Sequence, residues 1–331
     1  MNFNSLTCGV VLCSCNGVRF IIQQLDSIVA QTVLPQEIVI SDDQSEDGSW
    51  GLIQKWADEI VISHKISVTL IRNKDRLGVS SNFQQACSKI NTDIVFLCDQ
   101  DDIWLSNKIE RVLEEFREAD VFLVHSDARL VDGESADLGL TLFEALRFTS
   151  LERQLTKEGR FVDIYCRRNI VTGAATAFRR GLLSVASPFP SEWLHDEWLA
   201  ANAAICGRVV MLPDCLILYR QHGSNIIGMP ISYVERMLQG WRRMRSMSRS
   251  EFLQYRIRRL MQWNLRVKHS GFDCPKNEGV ILGALEHFHR RSLMGENFFG
   301  RLPQIWREFR SKSYKRYSGF FNGILRDLLN V

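Results

Sequence analysis

Nowhere does the 331-residue chain string together the roughly 20 apolar residues that a bilayer-spanning helix needs. Its first residues also lack the basic start and long apolar stretch of a secretory signal. Both absences lead us to expect a cytoplasmic protein. Paired CxxC motifs are missing, and so is any Cys/His cluster with zinc spacing, although the chain holds nine cysteines. That number is odd, and Cys8, Cys13, Cys15 and Cys98 lie inside apolar runs. They read as small buried hydrophobes in a reducing compartment. No GxGxxG follows the first apolar run, which argues against a dinucleotide-dependent dehydrogenase. Internal repeats and low-complexity segments are absent as well.

What is present is ordinary in bulk and uneven in distribution. Hydrophobic residues make up 45% of the chain and charged residues 24%, as in a globular protein long enough for one large domain or two modest ones. The net charge of +3 conceals an asymmetry. From Ser232 onward there are 20 Lys and Arg against 8 Asp and Glu, whereas the preceding part carries 21 against 30. An acidic body with a basic tail suits an anionic partner for the tail, either a membrane surface or nucleic acid.

Strand and helix signals alternate through the first 125 residues. "CGVVLCSC" (8–15) is a short apolar run ended by the turn pair Asn16-Gly17. The segment 19–31 places Phe20, Ile21, Leu25, Ile28 and Val29 on one helical face. "EIVISDD" (37–43), "SVTLIRN" (67–73), "DIVFLC" (93–98) and "DVFLVHSD" (120–127) read as further strands. Between them, Ser81 with Gln84 has the spacing of a capping box. It would open a helix that buries Phe83, Ala86, Cys87 and Ile90. Ile109, Val112, Leu113 and Phe116 mark another helix. Such alternation predicts a doubly wound, mostly parallel sheet, which binds ligands beyond the carboxyl ends of its strands. Further on, "IVTGAATAF" (170–178) reads as a strand with a Gly-containing loop, "HDEWLAANAAICG" (195–207) as a helix and "VVMLPDCLILY" (209–219) as a strand. Past Pro230 only helix signals remain.

The strand ends are acidic. "SDDQSEDGS" ends the second strand and "DQDD" the fourth. A helix cap needs one carboxylate, whereas Asp99, Asp101 and Asp102 crowd three after a buried strand. Asp99 and Asp101 can share a hard divalent cation of the kind that completes its shell with substrate phosphates. A DxD string alone is weak evidence of this; its place in the fold strengthens the reading.

Together, "CSCNG", "VISDDQSEDGS", "RNKDRLGVSSNF" and "FLCDQDDIW" resemble the donor-binding half of family 2 glycosyltransferases, and "TGAATAF", "HDEW" and "YRQHGSN" continue the likeness to about residue 228. The nearest likeness is to the bacterial rhamnosyltransferase-like branch, which builds surface polysaccharides. The resemblance implies a GT-A-type α/β fold, a catalytic domain at 1–229 and a basic helical C-terminal region at 230–331. It also implies metal-assisted, inverting transfer of a sugar from a dTDP- or UDP-sugar to a saccharide acceptor hydroxyl. Asp43 would accept the N3–H of uracil or thymine with Asp42 beside it, unless Asp42 only begins an Asx-turn. Asp99 would meet the ribose or the cation, Mn²⁺ or Mg²⁺, and Asp101 would ligate that cation; Asp102 is the most cap-like of the three. Arg76 is a candidate for the diphosphate. Asp196 falls at the position of the catalytic base, with Glu197 as the other candidate. Acidic residues at a helix start also suit its dipole. His195 stands where many members have Glu, which leaves its role open. His222 would complete the metal shell or touch the diphosphate, or else merely be hydrogen-bonded. Arg220 and Asn225 read as residues of the same rim, Arg220 alternatively as a plain surface charge, and Gly173 as a close backbone approach to substrate or a plain turn. Trp104 and Trp198 read as core.

The tail "MLQGWRRMRSMSRSEFLQYRIRRLMQWNLRV" (237–267) interleaves Arg with large apolar residues. It suits either a peripheral membrane contact, apt for a lipid-linked acceptor at the inner face of the membrane, or a cationic face on helices packed against the catalytic domain. No recognised nucleic-acid module accompanies the charge. Two other functions fit parts of the pattern. A sugar nucleotidyltransferase would need a Gly-rich basic loop that "SCNGVRF" supplies poorly, and a non-catalytic nucleotide-sugar or membrane-docking protein would not need the full acidic set.

Overall fold

Cys8–Ser14 (β1) is buried along almost its whole length, because it runs through the middle of a sheet covered on both faces. The computed structural model describes residues 6–222, 246–272 and 275–330. The other strands are β2 (Glu37–Asp42), β3 (Ser67–Arg72), β4 (Ile94–Cys98), β5 (Ile103–Trp104), β6 (Val121–Val131), β7 (Asp137–Thr141), β8 (Thr176–Arg179) and β9 (Arg208–Arg220). Their order is β3-β2-β1-β4-β8-β6-β9-β5, with β7 paired to β6. The long ladders are parallel: β1 with β2 and β4, β2 with β3, and β6 with β9. The short β8 runs antiparallel to both β4 and β6, so the two parallel blocks point the same way. The ends of β1, β2, β4 and β9 therefore share one rim.

Amphipathic spacing does much of the covering. Helix Ile21–Val29 buries Ile21, Leu25 and Ile28, and further along the chain Phe83, Ala86, Cys87 and Ile90 are all interior. Burying side chains of this size contributes about 1.5–3 kcal/mol each. The start of that second helix differs from expectation. Helix Val79–Cys87 begins after Gly78, whose φ of +79° suits glycine, and Ser81 lies inside it without capping. The turn just before that helix is held instead by Asp43, described below. The eight described cysteines are free, and Cys8, Cys87, Cys98 and Cys166 are buried. Trp104 and Trp198 are core residues.

The chain divides into two compact units, 1–149 with 171–229 and 150–170 with 230–331. The first holds the sheet. The second is helical: Ser150–Lys157 and Phe161–Tyr165 join Arg249–His269, Pro275–Ser292, Phe298–Arg310, Ser313–Tyr317 and Phe320–Leu329. The break near residue 230 read from the sequence lies outside the described residues. The helical unit is pinned by buried Asp327, whose carboxylate pairs with Arg249 at 2.8 Å and Arg291 at 2.7 Å and accepts from the Tyr314 hydroxyl. Part of the basic stretch 237–267 is internal here. Arg249, Leu253, Arg259, Leu260 and Trp263 are buried, and Arg256 donates to the Cys166 carbonyl. Residues 237–245 of that stretch lie outside the described ones.

Candidate active site

The rim is laced together at the ends of β1 and β2. Asp42 is fully buried and accepts from the Ser14 hydroxyl at 2.9 Å, the Ser45 hydroxyl at 2.5 Å and the Ser45 N–H at 2.9 Å. Its oxygens are spent on closing the turn 42–45, in line with the turn alternative. Asp43 reaches across the next loop. Its Oδ1 accepts from Asn73 Nδ2 and the Leu77 N–H, both at 2.8 Å, and its Oδ2 from the Gly78 N–H at 2.9 Å. Oδ2 keeps one acceptor site for a ligand donor. Arg76 on this loop is exposed and lies close enough to favour the Cys15 thiolate, although burial still raises that thiol.

At the end of β4 the carboxylates separate by role. Among the described residues no donor hydrogen-bonds the Asp99 carboxylate. Burial first, then the charges of Asp101 and Asp196, push Asp99 up to about 7. Asp101 Oδ2 lies 2.8 Å from His222 Nε2, which brings these two sequence candidates together from β4 and β9. Asp102 is no helix cap. It is buried, its Oδ1 accepts from the Arg220 N–H at 2.9 Å, and desolvation with the charges of Asp101 and Asp99 raises its pKa strongly. Nor is Arg220 a surface charge. It is 1% exposed and donates to the Asp101 carbonyl, the Gly133 carbonyl, the Ser135 hydroxyl and Gln23 Oε1 at 2.7–2.9 Å. Asn225 lies outside the described residues.

The third group comes from the helix His195–Cys206. Asp196 accepts from the Gly173 N–H at 2.9 Å through Oδ2 and from the Glu197 N–H at 2.7 Å through Oδ1. Burial, then the Glu197 charge, raises its pKa to about 7. The Asp196 charge also acts on Asp99, which shows that the two carboxylates lie near one another. Gly173 earns its place by closeness: a Cβ there would lie 2.9 Å from His195 Nε2. His195 stacks on Phe83 at 3.9 Å between ring centroids, and burial lowers its pKa to about 3. Among the described residues its two ring nitrogens have no hydrogen-bond partner, and burial keeps the ring neutral.

Residues 9–184 match the profile of Glycosyl transferase family 2. The chain belongs to that family. An uncharacterized glycosyltransferase of Nostoc sp. is 26% identical over 220 residues, 65% of this chain and 65% of its own length. A dTDP-rhamnosyl transferase of Shigella flexneri is 28% identical over 229 residues, 66% of this chain and 74% of its own length. The match thus spans about two thirds of the Nostoc relative, and 59% of an uncharacterized Mycobacterium bovis protein. Among solved structures, Staphylococcus aureus TarS 1–349 with UDP-GlcNAc aligns at TM-score 0.56 and 13% identity, covering 98% of this chain and 82% of its own. A Pyrobaculum calidifontis mannosyltransferase with GDP-Man and Mn²⁺ aligns at 0.55 and 17%, covering 99% and 87%. The fold is GT-A.

Within this family 2 framework, the donor set fits a hard cation only in part. Among the described residues no three His, Cys, Asp or Glu side chains close around one point. Asp99 and Asp101 offer carboxylate oxygens, and the remaining ligands would come from a diphosphate, as Mg²⁺ and Mn²⁺ sites commonly arrange. His222 is already hydrogen-bonded to Asp101, a position from which it orients that carboxylate.

Two contributors escaped the sequence reading. Gln100 accepts from the Cys15 N–H at 2.8 Å and donates to the Cys15 carbonyl at 3.0 Å, tying β4 to β1. Lys108 is 1% exposed, lies 3.7 Å over the Trp104 ring and donates to the Ala174 carbonyl at 2.8 Å. Its charge acts on Asp99 and Asp102, and burial lowers its pKa to about 7. A lysine in the first turn of an amphipathic helix gives no sequence signal of such burial.

The raised Asp99 has a measurable consequence. Its ordinary pKa is 3.8, so in metal-free buffer its ionisation destabilises the fold progressively as pH rises from about 4 to about 7. Asp99→Asn removes that cost. We expect the variant to melt higher than the wild type with EDTA present, the gap widening over that window to at most about 4 kcal/mol. A gap independent of pH contradicts the assignment.

Proposed function

We propose that the protein is an inverting, divalent-metal-dependent glycosyltransferase that moves a sugar from a nucleoside-diphosphate donor to a saccharide hydroxyl. The observation that carries this reading is the proximity of Asp99 to Asp101 and Asp196, whose charges both act on it, with Asp196 held by the Gly173 N–H. Asp43 offers its remaining Oδ2 acceptor site to the pyrimidine N3–H. Asp99 and Asp101 would hold Mn²⁺ or Mg²⁺, which would neutralise charge growing on the departing diphosphate. Arg76 would add a positive charge to the same group. Asp196 takes the proton from the acceptor hydroxyl as its oxygen bonds to the anomeric carbon, while the diphosphate leaves with the bonding electrons from the opposite face. A carboxylate raised to about 7 is well matched to that proton transfer. Glu197, next in the helix, and His195, kept neutral by burial, line the acceptor side.

The Shigella relative, named a dTDP-rhamnosyl transferase, supports dTDP-rhamnose as a donor; bacterial surface polysaccharide as the product class rests on the sequence resemblance. A lipid-linked acceptor at the inner face of the membrane follows from that class. Among the described residues no helix is long and apolar enough to cross a membrane. The test is mass spectrometry of products from a panel of nucleotide sugars, with the anomeric configuration of the product read by NMR. Transfer with inverted configuration is expected. Retained configuration overturns the single-displacement mechanism. Nucleotide-sugar binding without turnover on any acceptor offered would place the protein among non-catalytic binders.

A further inference from the structure

In the helical unit, the helix Phe298–Arg310 has an outward face that its own packing does not use. At about 100° per residue, Phe298, Phe299, Leu302, Trp306 and Phe309 fall within one arc of about 100°. Arg301, Ile305 and Glu308 take the interior side. Phe299 is 76% exposed and Trp306 59%. The helix Phe320–Leu329 adds Phe321, 79% exposed, followed at one-turn intervals by exposed Leu325 and Leu329. The two faces adjoin, since the Phe309 and Phe320 rings lie 5.6 Å apart and Phe320 meets Phe321 at 5.1 Å. Apolar exposure gathered in one place marks an interaction surface.

Charge identifies the occupant. Arg310 borders the apolar arc of the first helix, Arg307 lies about 60° further round the same helix, and Lys312 and Lys315 follow in the connection, all exposed. Between residues 293 and 330 the exposed acid is Glu296. Glu308 is buried against His287 and Arg290, and Asp327 against Arg249 and Arg291. An aromatic face flanked by arginine and lysine, with its acids withdrawn, matches a bilayer surface: rings enter the headgroup level and cations meet lipid phosphates. We infer that the face formed by Phe299, Trp306, Phe321 and their basic flanks docks on an anionic lipid membrane. The inference stands without the sugar-transfer reading. It names a face separate from the stretch 237–267, in whose described part Arg249, Arg259 and Trp263 are packed inside the unit.

Flotation of the full chain with vesicles of phosphatidylcholine alone, or mixed in equal parts with phosphatidylglycerol, tests it. We expect about tenfold or more stronger partitioning onto the mixed vesicles, weakened by added salt. The triple substitution Phe299→Ser, Trp306→Ser, Phe321→Ser lowers that partitioning about tenfold or more. Its circular dichroism and melting temperature stay those of the wild type, because the three side chains are exposed. Arg307→Glu with Arg310→Glu loses the preference for anionic vesicles, which keeps the test informative should the triple variant misfold. Failure of the wild type to float with mixed vesicles, or flotation of both variants equal to that of the wild type, overturns the proposal. So does wild-type self-association that the serine variant abolishes without any vesicle binding, which would make a second copy of the chain the occupant.

Discussion

Asp196→Asn lowers sugar transfer by about 10²- to 10⁴-fold, the usual worth of a general base, and leaves nucleoside-diphosphate affinity unchanged. Asparagine keeps the shape and still accepts from the Gly173 N–H, but it cannot take the proton of the acceptor hydroxyl. The wild-type rate rises with pH through about 7, because burial and the Glu197 charge hold the carboxyl protonated below that point. Asp99, also raised to about 7, is expected to stay ionised once a cation binds beside it. The rise in rate therefore belongs to Asp196 and disappears in the Asn variant. Steady-state kinetics across pH 5–9 check both statements. Full activity in Asp196→Asn would pass the role to Glu197.

Arg220→Met destabilises the fold by about 3–5 kcal/mol, the scale of breaking a buried charged network by removing one partner. The guanidinium satisfies two carbonyls, a hydroxyl and an amide oxygen, and it packs 4.5 Å from the Phe20 ring centroid. Methionine fills part of the volume and leaves those acceptors buried without donors. The Asp101 carbonyl is one of them, so the loop that carries Asp101 loosens too. Denaturant unfolding measures the first effect, and weaker metal-dependent nucleotide binding the second. A loss under about 1 kcal/mol would show that water replaces the side chain without cost.

Sequence patterns reached as far as local physics extends. Apolar runs located β1, β2 and β4, and helical periodicity located Phe83, Ala86 and Cys87, because those signals are written in neighbouring residues. The acidic rim was legible for a related reason: strand direction alone sends Asp43, Asp99 and Asp101 to the same end of the sheet. What escaped depends on partners far along the chain. β5 is two residues long and exists because β9 pairs with it. Nothing within 150–170 announces that it packs with helices beyond residue 246. Ser81 has the spacing of a capping box, yet Asp43, more than 30 positions earlier, holds the turn before that helix. Arg220 and Lys108 look like surface charges because single-residue propensities carry no record of the carbonyls waiting for them.

The central claim is that Asp99 and Asp101 receive a diphosphate through a divalent cation. Isothermal titration of the protein with UDP and dTDP, with Mn²⁺ and then with EDTA, tests it most directly. Binding that requires Mn²⁺ and is lost in Asp101→Ala is the expected result. Equal affinity in EDTA, or a fully retained response in Asp101→Ala, would contradict it.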